Sequence, residues 1–524
     1  MRAWYSTIIF FVWGLAPKAS GQELAKLVAS DAAEDDEFGF SVAVSGDLVV
    51  VGAYGNADAG SYSGSAYVFR TTNDGASWTQ TAKLLASDAA AYDWFGTSVA
   101  VSGDLVVVGA PYNDDAVLGS AYVFRTTNGG TTWSETAKLV ASDAAEDDKF
   151  GFSVAVSGDL VVVGAYGNAD AGSYSGSAYV FRTTNDGTTW SETAKLVASD
   201  AAEDDYFGFS VAVSGDLVVV GAWGNADAGD ESGSAYVFRT TNDGTTWSET
   251  AKLLASDAAA GDWFGYSVAV SGDLVVVGAP YNYNDDAGDE PGSAYVFRTT
   301  NAGASWTQVA KLVASDAAAY DWFGTSVAVS GDLVVVGADG NDDAGSDSGS
   351  AYVFRTTNDG ASWTQVAKLV ASDAAEDDWF GYSVAVSGDL VVVGARYNDD
   401  AGSNSGSAYV CSGGGGGGGG GGATVAVVVA AAAVAAVVAV AIACVCIMRR
   451  RSKAAAARAD FNVEAPPDRD DAFAGGAWNV AAASTKTPAT KTPAPSARYQ
   501  QLMRESEGVV ARGMTAPASS SRRA

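Results

Sequence analysis

The chain has 524 residues and no histidine. That absence excludes a histidine general base, a Ser-His-Asp triad and a histidine-bound zinc site. A pair of carboxylates, as glycosidases use, is not excluded, because acidic residues are abundant. Catalysis requires one asymmetric site, however, and most of the chain consists of nearly identical repeats. We therefore predict that the protein is not an enzyme.

Cysteine and basic residues are also scarce. The three cysteines, Cys411, Cys444 and Cys446, are too few for a disulfide framework. The chain carries 30 basic and 62 acidic residues, and residues 22–448 hold 15 basic and 55 acidic ones. A surface this acidic repels nucleic acid and anionic lipid and attracts cations or basic partners. We predict no nucleic-acid partner, and solubility alone is the alternative reason for the charge.

The sequence FGFSVAVSGDLVVVGA, which first begins at Phe38, occurs seven times with small changes. Each copy predicts four strands, which we name A to D. In the first copy, strand A is Ser41 to Ser45, B is Leu48 to Ala53, C is Ser65 to Arg70 and D is Trp78 to Leu85. Side-chain size grows from A to D, as a radial arrangement of sheets requires. The pattern predicts an all-β, seven-bladed propeller.

The two ends of the repeat region complement each other. The last copy stops after its strand C, at Val410, whereas Gln22 to Ser30 is a strand D without the preceding repeat. We expect the N-terminal strand to pair with the last strand C and close the ring, which removes exposed sheet edges.

These motifs, FGxSVA, GDLVVVGAP and GSAYVF, resemble the FG-GAP repeat family, whose propellers also form the head of integrin α chains. The resemblance covers residues 22–411 and implies that fold. Integrin-type blades bind calcium in a DxDxDG hairpin between strands A and B, which is shortened here to Ser-Gly-Asp and cannot enclose an ion. The C–D turn from Thr71 to Trp78 resembles an Asp-box hairpin, which implies a structural turn.

The B–C and D–A loops vary between copies, and strand alternation places both on one face of the disc. In integrin heads the corresponding face recognises ligands, so the resemblance implies that a protein or glycan binds here. Exposed aromatic rings near carboxylates also suit sugars, and packing of these rings between blades is the alternative. The ligand-face candidates are Tyr54, Trp94, Tyr166, Tyr206, Trp223, Trp263, Trp322 and Trp379.

No cofactor is predicted, although the acidic B–C loops offer hard oxygen atoms that suit weak calcium binding. Examples are Asn341-Asp342-Asp343 and Asn284-Asp285-Asp286. Their composition fits ordinary solvated loops equally well.

The segments outside the repeats predict a single-pass membrane protein. Residues 1–21 are typical of a signal peptide, 412–422 of a polyglycine linker and 423–448 of a transmembrane helix followed by a basic cluster. Residues 449–524 are predicted to be a disordered cytoplasmic tail, which leaves the propeller outside the plasma membrane. In the tail, Tyr499 and Leu502 fit an endocytic sorting motif.

Three functions are compatible with the sequence. The first is a single-pass cell-surface recognition or adhesion receptor that binds an extracellular ligand through one face of an acidic propeller. The second is a glycan-binding, or less plausibly glycan-processing, ectodomain. The third is a structural, cation-binding surface protein. The oligomeric state and the ligand are not determined by the sequence.

Overall fold

The computed structural model describes residues 21–414, except residues 74, 114–117, 283–289 and 359. The predicted signal peptide, linker, membrane span and tail, with Tyr499 and Leu502, lie outside this part apart from Gly21 and residues 412–414. No helix in the described part is long and apolar enough to cross a membrane.

The described residues form 28 strands in seven four-stranded antiparallel sheets, the blades. The first strands in chain order are β1 (Glu23–Leu27), β2 (Ser41–Ser45), β3 (Leu48–Ala53), β4 (Ser65–Arg70), β5 (Thr79–Leu84), β6 (Ser98–Ser102), β7 (Leu105–Ala110), β8 (Ser120–Arg125), β9 (Ser134–Leu139), β10 (Ser153–Ser157), β11 (Leu160–Ala165), β12 (Ser177–Arg182), β13 (Ser191–Leu196) and β14 (Ser210–Ser214). The remaining strands are β15 (Leu217–Ala222), β16 (Ser234–Arg239), β17 (Ser248–Leu253), β18 (Ser267–Ser271), β19 (Leu274–Ala279), β20 (Ser293–Arg298), β21 (Thr307–Leu312), β22 (Val327–Ser330), β23 (Leu333–Ala338), β24 (Ser350–Arg355), β25 (Thr364–Leu369), β26 (Phe380–Ser387), β27 (Leu390–Ala395) and β28 (Ser407–Ser412).

Blades one to six each consist of four consecutive strands, beginning with β2, β6, β10, β14, β18 and β22. Blade seven has the order β1-β28-β27-β26, so the N-terminal strand supplies its outer strand. The seven-bladed fold and its closure by the N-terminal strand are confirmed. In blade one, strands A, B and C begin and end where the sequence predicts.

The hydrophobic cores lie between neighbouring blades. Every residue of β3 is buried, because the strand contacts a blade on each side: Val50 packs toward blade two and Val49 toward blade seven. The Phe of each FG pair fills the space between blades, and Phe95 is fully buried with its ring centroid 5.5 Å from that of Tyr122. A strand buried on both faces has no need of alternating polar residues, which explains the uninterrupted LVVVGA sequence.

The backbone of each FG phenylalanine also makes a contact between blades that requires glycine. Gly64, which precedes strand C, has φ +80°, and an added Cβ would lie 1.9 Å from the carbonyl oxygen of Phe95 in the next blade. The same close approach closes the ring, where Gly406 of blade seven meets Phe38 of blade one. The backbone approach between blades therefore leaves no room for a side chain at this position.

Candidate functional site

The D–A and B–C loops lie together on one face, which we call the ligand face. The loops touch through backbone hydrogen bonds: the N–H of Trp94 donates to the carbonyl oxygen of Tyr62 at 3.0 Å. The residue before each FG pair has a left-handed backbone, with φ of 59° at Trp94 and 56° at both Trp322 and Trp379. That conformation favours glycine or asparagine, so a tryptophan there is selected for its side chain and not for its backbone preference.

Aromatic rings follow one another around the propeller axis on the ligand face, with successive ring centroids 4.3 to 6.3 Å apart. Every blade contributes at least one ring. We call this set the aromatic collar, and in spatial order it consists of Tyr112, Trp94, Tyr54, Phe40, Tyr382, Trp379, Trp322, Tyr281, Trp263, Trp223, Tyr206, Tyr166 and Phe152.

All eight aromatic residues proposed from the sequence belong to the collar, but they differ in burial. Trp263, Tyr166 and Trp223 are only 1%, 2% and 4% exposed, so their rings pack between other rings. Trp223, for example, lies 4.3 Å from Tyr206 and 4.4 Å from Trp263 between ring centroids. The half-buried members, which offer a surface to a ligand, are Tyr54, Trp94, Tyr206, Trp322 and Trp379.

The sequence analysis missed part of the collar. The residue after each FG pair directly precedes the SVAVS sequence of the innermost strand, and it is aromatic in five blades. These are the collar members Phe40, Phe152 and Tyr382, and Phe209 and Tyr266, whose rings pack against collar members. Their rings contact one another around the axis, with centroids of Phe152 and Phe209 4.9 Å apart. The variation between aromatic residues and threonine at this one position of a constant motif was the signal that could have identified them.

Arg396 interrupts the collar near the closure between blades seven and one. Its guanidinium carbon lies 4.0 Å from the ring centroid of Tyr382 and 4.3 Å from that of Tyr397, and it also contacts the rings of Trp379 and Phe40. A guanidinium in such a cage is held by cation–π attraction. The cage is thus already occupied by a residue of the same chain.

Glu37 of blade one forms an ion pair with Arg396 across the junction between blades seven and one. A guanidinium nitrogen of Arg396 lies 3.7 Å from Glu37 Oε2, and the hydroxyl of Tyr54 donates to Glu37 Oε1 at 2.7 Å. Burial raises the pKa of Glu37, although Arg396 and the Tyr54 hydroxyl favour its charged form. The ion pair therefore sits in a poorly solvated position of the ligand face.

Asp339 is the other polar interruption, in blade six. It is 3% exposed, and burial raises its pKa to about 6, against the opposing effects of the Thr325 hydroxyl and the positive charge of Arg396. Arg396, Glu37 and Asp339 therefore make blades six, seven and one differ from the other blades. Lys149, whose Nζ lies 4.1 Å from the ring centroid of Tyr112, is a further charged residue in the position before FG, in blade three.

Lysines of the outer strands contact the acidic B–C loops, where the sequence suggested weak calcium binding. Lys368 Nζ lies 2.7 Å from Asp316 Oδ2 of the preceding loop and 3.1 Å from Asn341 Oδ1, and it also contacts Asp343. The ammonium group of Lys368 therefore contacts the oxygen atoms that were proposed from the sequence as weak calcium ligands. Other blades use the same arrangement around Lys26, Lys83, Lys195 and Lys252, and Asn284 to Asp286 lie outside the described residues. The described part of the chain contains no group of three or more acidic or cysteine side chains arranged to hold a metal ion.

The opposite face carries the short turns and arginine–aspartate pairs. In blade three, Arg182 Nε lies 2.8 Å from Asp159 Oδ2, and this pair lines an open groove of about 500 Å³ between blades two and three. The Thr-x-Asn turn is closed as expected: the N–H of Gly75 donates to Thr71 Oγ1 at 3.0 Å, and the N–H of Ser77 donates to Asn73 Oδ1 at 2.9 Å. These turns have little conformational freedom to differ between blades.

Comparison with known proteins gives a family match and a set of structurally similar chains. The FG-GAP repeat family matches seven times, at residues 22–69, 78–124, 133–181, 190–238, 247–297, 306–354 and 363–411. No curated protein matches the chain. Among solved structures, the crystal structure of Saccharomyces cerevisiae Sqt1 is similar at 11% identity and a TM-score of 0.40, covering 72% of this chain and 84% of that one. Each repeat match spans the outer strand of one blade and the three inner strands of the next. Because these matches cover more than half of the sequence, the chain belongs to the FG-GAP repeat family.

Proposed function

We propose that this FG-GAP propeller is the recognition domain of a single-pass surface protein, and that it binds an extracellular partner through the ligand face. The fold itself suggests a ligand-binding or interaction domain. The observation that supports the site is the aromatic collar: aromatic residues drawn from all seven blades, several of them half-buried, surround one end of the axis. Aromatic residues are common anchors in interfaces because they bury a large area at low entropic cost.

The asymmetry of the ligand face supports recognition over a purely structural role. A coat protein could use seven identical blades, whereas this face places Arg396, Asp339 and Glu37 in positions that hold aromatic residues in other blades. Specific binding needs such differences between otherwise equivalent positions. The opposite face repeats one arginine–aspartate pair from blade to blade and offers less distinction.

The membrane topology is a separate part of the proposal and rests on sequence. We propose that residues 423–448 cross the plasma membrane once, with the propeller outside and residues 449–524 in the cytoplasm. Protease added to intact cells should then remove the propeller and leave an epitope placed after Arg523. Loss of that epitope with a protected propeller would reverse the orientation.

The recognition role is tested by adhesion of cells that display the full chain. Trp322 on the ligand face and Trp363 on the opposite side of the same blade are a matched pair, because both are half-buried tryptophans. We expect Trp322→Ala to reduce cell–cell or cell–surface adhesion at equal surface expression, and Trp363→Ala to leave adhesion unchanged. Equal adhesion by all three forms would contradict the proposed site.

A further inference from the structure

Several polar atoms of the ligand face are buried without a hydrogen-bond partner among the described residues. They include the indole nitrogens of Trp94, Trp223 and Trp322, which are donors, and the acceptor Asp339 Oδ1. Glu37 Oε2 also accepts no hydrogen bond, and its ion-pair partner Arg396 is 3.7 Å away. Trp223, Asp339 and Glu37 are each more than nine-tenths buried. Unpaired indole nitrogens also occur on the opposite face, at Trp78, Trp133, Trp306 and Trp363, but in the described part of the chain only the ligand face combines them with unpaired carboxylate oxygens. An unpaired buried polar atom is costly, so this combination requires an explanation.

The unpaired atoms include both donors and acceptors, and they lie among aromatic rings. A basic peptide would need two kinds of group, cationic side chains for the carboxylates and backbone carbonyl oxygens for the indole N–H groups. A hydroxyl group both donates and accepts, so one kind of ligand group suits all of these atoms. Sugars combine many hydroxyls with C–H faces that stack on aromatic rings.

Half-buried aromatic rings and unpaired polar atoms occur together in blades six, seven and one. The ring centroids of Trp322 and Trp379 are 6.3 Å apart in an edge-to-face arrangement. Trp322 also lies against Gly340, the neighbour of Asp339, since a Cβ on that glycine would be 3.1 Å from Trp322 Cε3. Arg396, whose Nε has no partner in the described part of the chain, lies 4.7 Å from the Trp379 ring centroid. One short oligosaccharide could therefore contact this whole region.

The charges of the propeller restrict the kind of sugar. All fifteen lysines and arginines of residues 22–414 already form ion pairs with carboxylates of the same chain. An anionic sugar would lose hydration and meet an excess of carboxylates, because acidic residues outnumber basic ones more than three to one in residues 22–448. A neutral sugar avoids this repulsion.

We propose that the ligand of the collar is a neutral oligosaccharide, bound at blades six, seven and one with its rings on Trp322 and Trp379 and its hydroxyls on Asp339, Glu37 and the indole N–H of Trp322. This inference rests on the proposed function and names its ligand class. Trp322 is half-buried, so a turn of its side chain brings the indole N–H to the surface when a hydroxyl is present to accept from it.

The test uses the purified full chain and a panel of defined probes. Neutral oligosaccharides of glucose, mannose, galactose and N-acetylglucosamine are compared with oligogalacturonate as the anionic sugar and nona-arginine as the basic peptide. Binding is followed by calorimetry and by tryptophan fluorescence. We expect at least one neutral oligosaccharide to bind with a Kd of about 1 mM or tighter. Trp322→Ala should weaken that binding about tenfold by removing one stacking surface.

The Trp363→Ala variant is the matched control, because its indole nitrogen is also buried and unpaired in the described structure but lies on the opposite face. It should bind the sugar like the unchanged chain. Circular dichroism melts of both variants show whether either has unfolded, and Trp322→Phe, which keeps a ring but removes the N–H, serves if the alanine variant does not fold.

The outcomes separate the two proposals. Absence of neutral-sugar binding, or tighter binding of oligogalacturonate, overturns the ligand class. If nona-arginine binds instead and Trp322→Ala weakens it, the ligand face stands and the sugar inference is wrong. If a bound sugar is insensitive to Trp322→Ala but lost in Trp363→Ala, both the inference and the proposed site are wrong.

Discussion

Ser372 and Glu23 are joined across 349 residues by two hydrogen bonds: the backbone N–H of Ser372 donates to Glu23 Oε2 at 3.0 Å, and its hydroxyl donates to Glu23 Oε1 at 3.2 Å. The same contact links other neighbouring blades, as between Ser142 and Glu192. The N-terminal strand therefore takes part in the interactions of an ordinary outer strand, and it connects blade seven to blade six.

Deletion of residues 22–30 should destabilise the propeller strongly. Leu27 is 3% exposed, and its loss alone should cost about 3 kcal/mol in the free energy of unfolding, in addition to the lost pairing with β28. The exposed edge of β28 should also promote aggregation. Glu23→Gln is the control, because Gln80 makes the equivalent contact with Ser30 at 2.9 Å. An unchanged melting temperature for the deletion would contradict closure by this strand.

Two glycines with similar backbones should respond differently to alanine. Gly64→Ala places a Cβ 1.9 Å from the Phe95 carbonyl oxygen, whereas Gly46, with φ +59°, has no atom within 4 Å of an added Cβ. Gly46→Ala should cost about 1 kcal/mol in unfolding free energy, from the left-handed backbone alone. Gly64→Ala should cost several times more, since neighbouring blades must separate. Urea unfolding measures both, and similar losses would mean that the blades shift easily.

Replacing Lys368 by glutamine should make one blade sensitive to calcium. The change leaves the carboxylates of Asp316 and Asp343 without their shared ammonium group, at a cost of about 1 kcal/mol for a partly exposed ion pair. Millimolar calcium should then raise the melting temperature of the variant more than that of the unchanged chain. Arg298→Gln, which breaks a single pair with Asp273 on the opposite face, is the control and should gain nothing from calcium.

Stability should pass through a maximum in mildly acidic solution. Burial raises the pKa of Asp321 and Asp339 to about 6, above the unfolded value of about 4, so the folded state binds more protons between these values. Unfolding free energy should therefore rise as pH falls from 7 to about 4 through these groups.

Below about pH 4 the opposite effect takes over. Burial favours a higher pKa for Asp316, but the hydrogen bond and positive charge of Lys368, together with the hydroxyl of Tyr352, outweigh burial and lower that pKa. The Asp316–Lys368 ion pair stabilises the folded state fully at pH values above the pKa of Asp316 in the unfolded chain. This stabilisation is lost as the pH falls through the lower pKa of Asp316 in the folded protein. Melting temperatures measured from pH 3 to 7 test this dependence of stability on pH. Asp339→Asn should reduce the rise in stability between pH 7 and about 4. A protein that is most stable at pH 7 would contradict the raised pKa values of Asp321 and Asp339.

The sequence by itself determined the blades and the closure of the ring. The period of the FG pair, the buried LVVVGA strand and the displaced strand D depend on local pattern, because each blade is formed mainly by residues close in sequence. For the same reason, the boundaries of strands A to C in blade one, and the placement of both variable loops on one face, were predictable. The eight aromatic candidates were also identified by position, from the variable residues beside FG and GA.

Only the tertiary structure decided what those aromatic residues contact. Trp263 and Trp322 occupy the same position of the repeat, yet Trp263 is 1% exposed and Trp322 is half-buried, because the neighbouring blades present different residues to them. The cage around Arg396 and the lysine that takes the place of a metal ion likewise join loops of different blades. Such contacts depend on how blades pack around the axis, and no local sequence pattern encodes which side chains meet there.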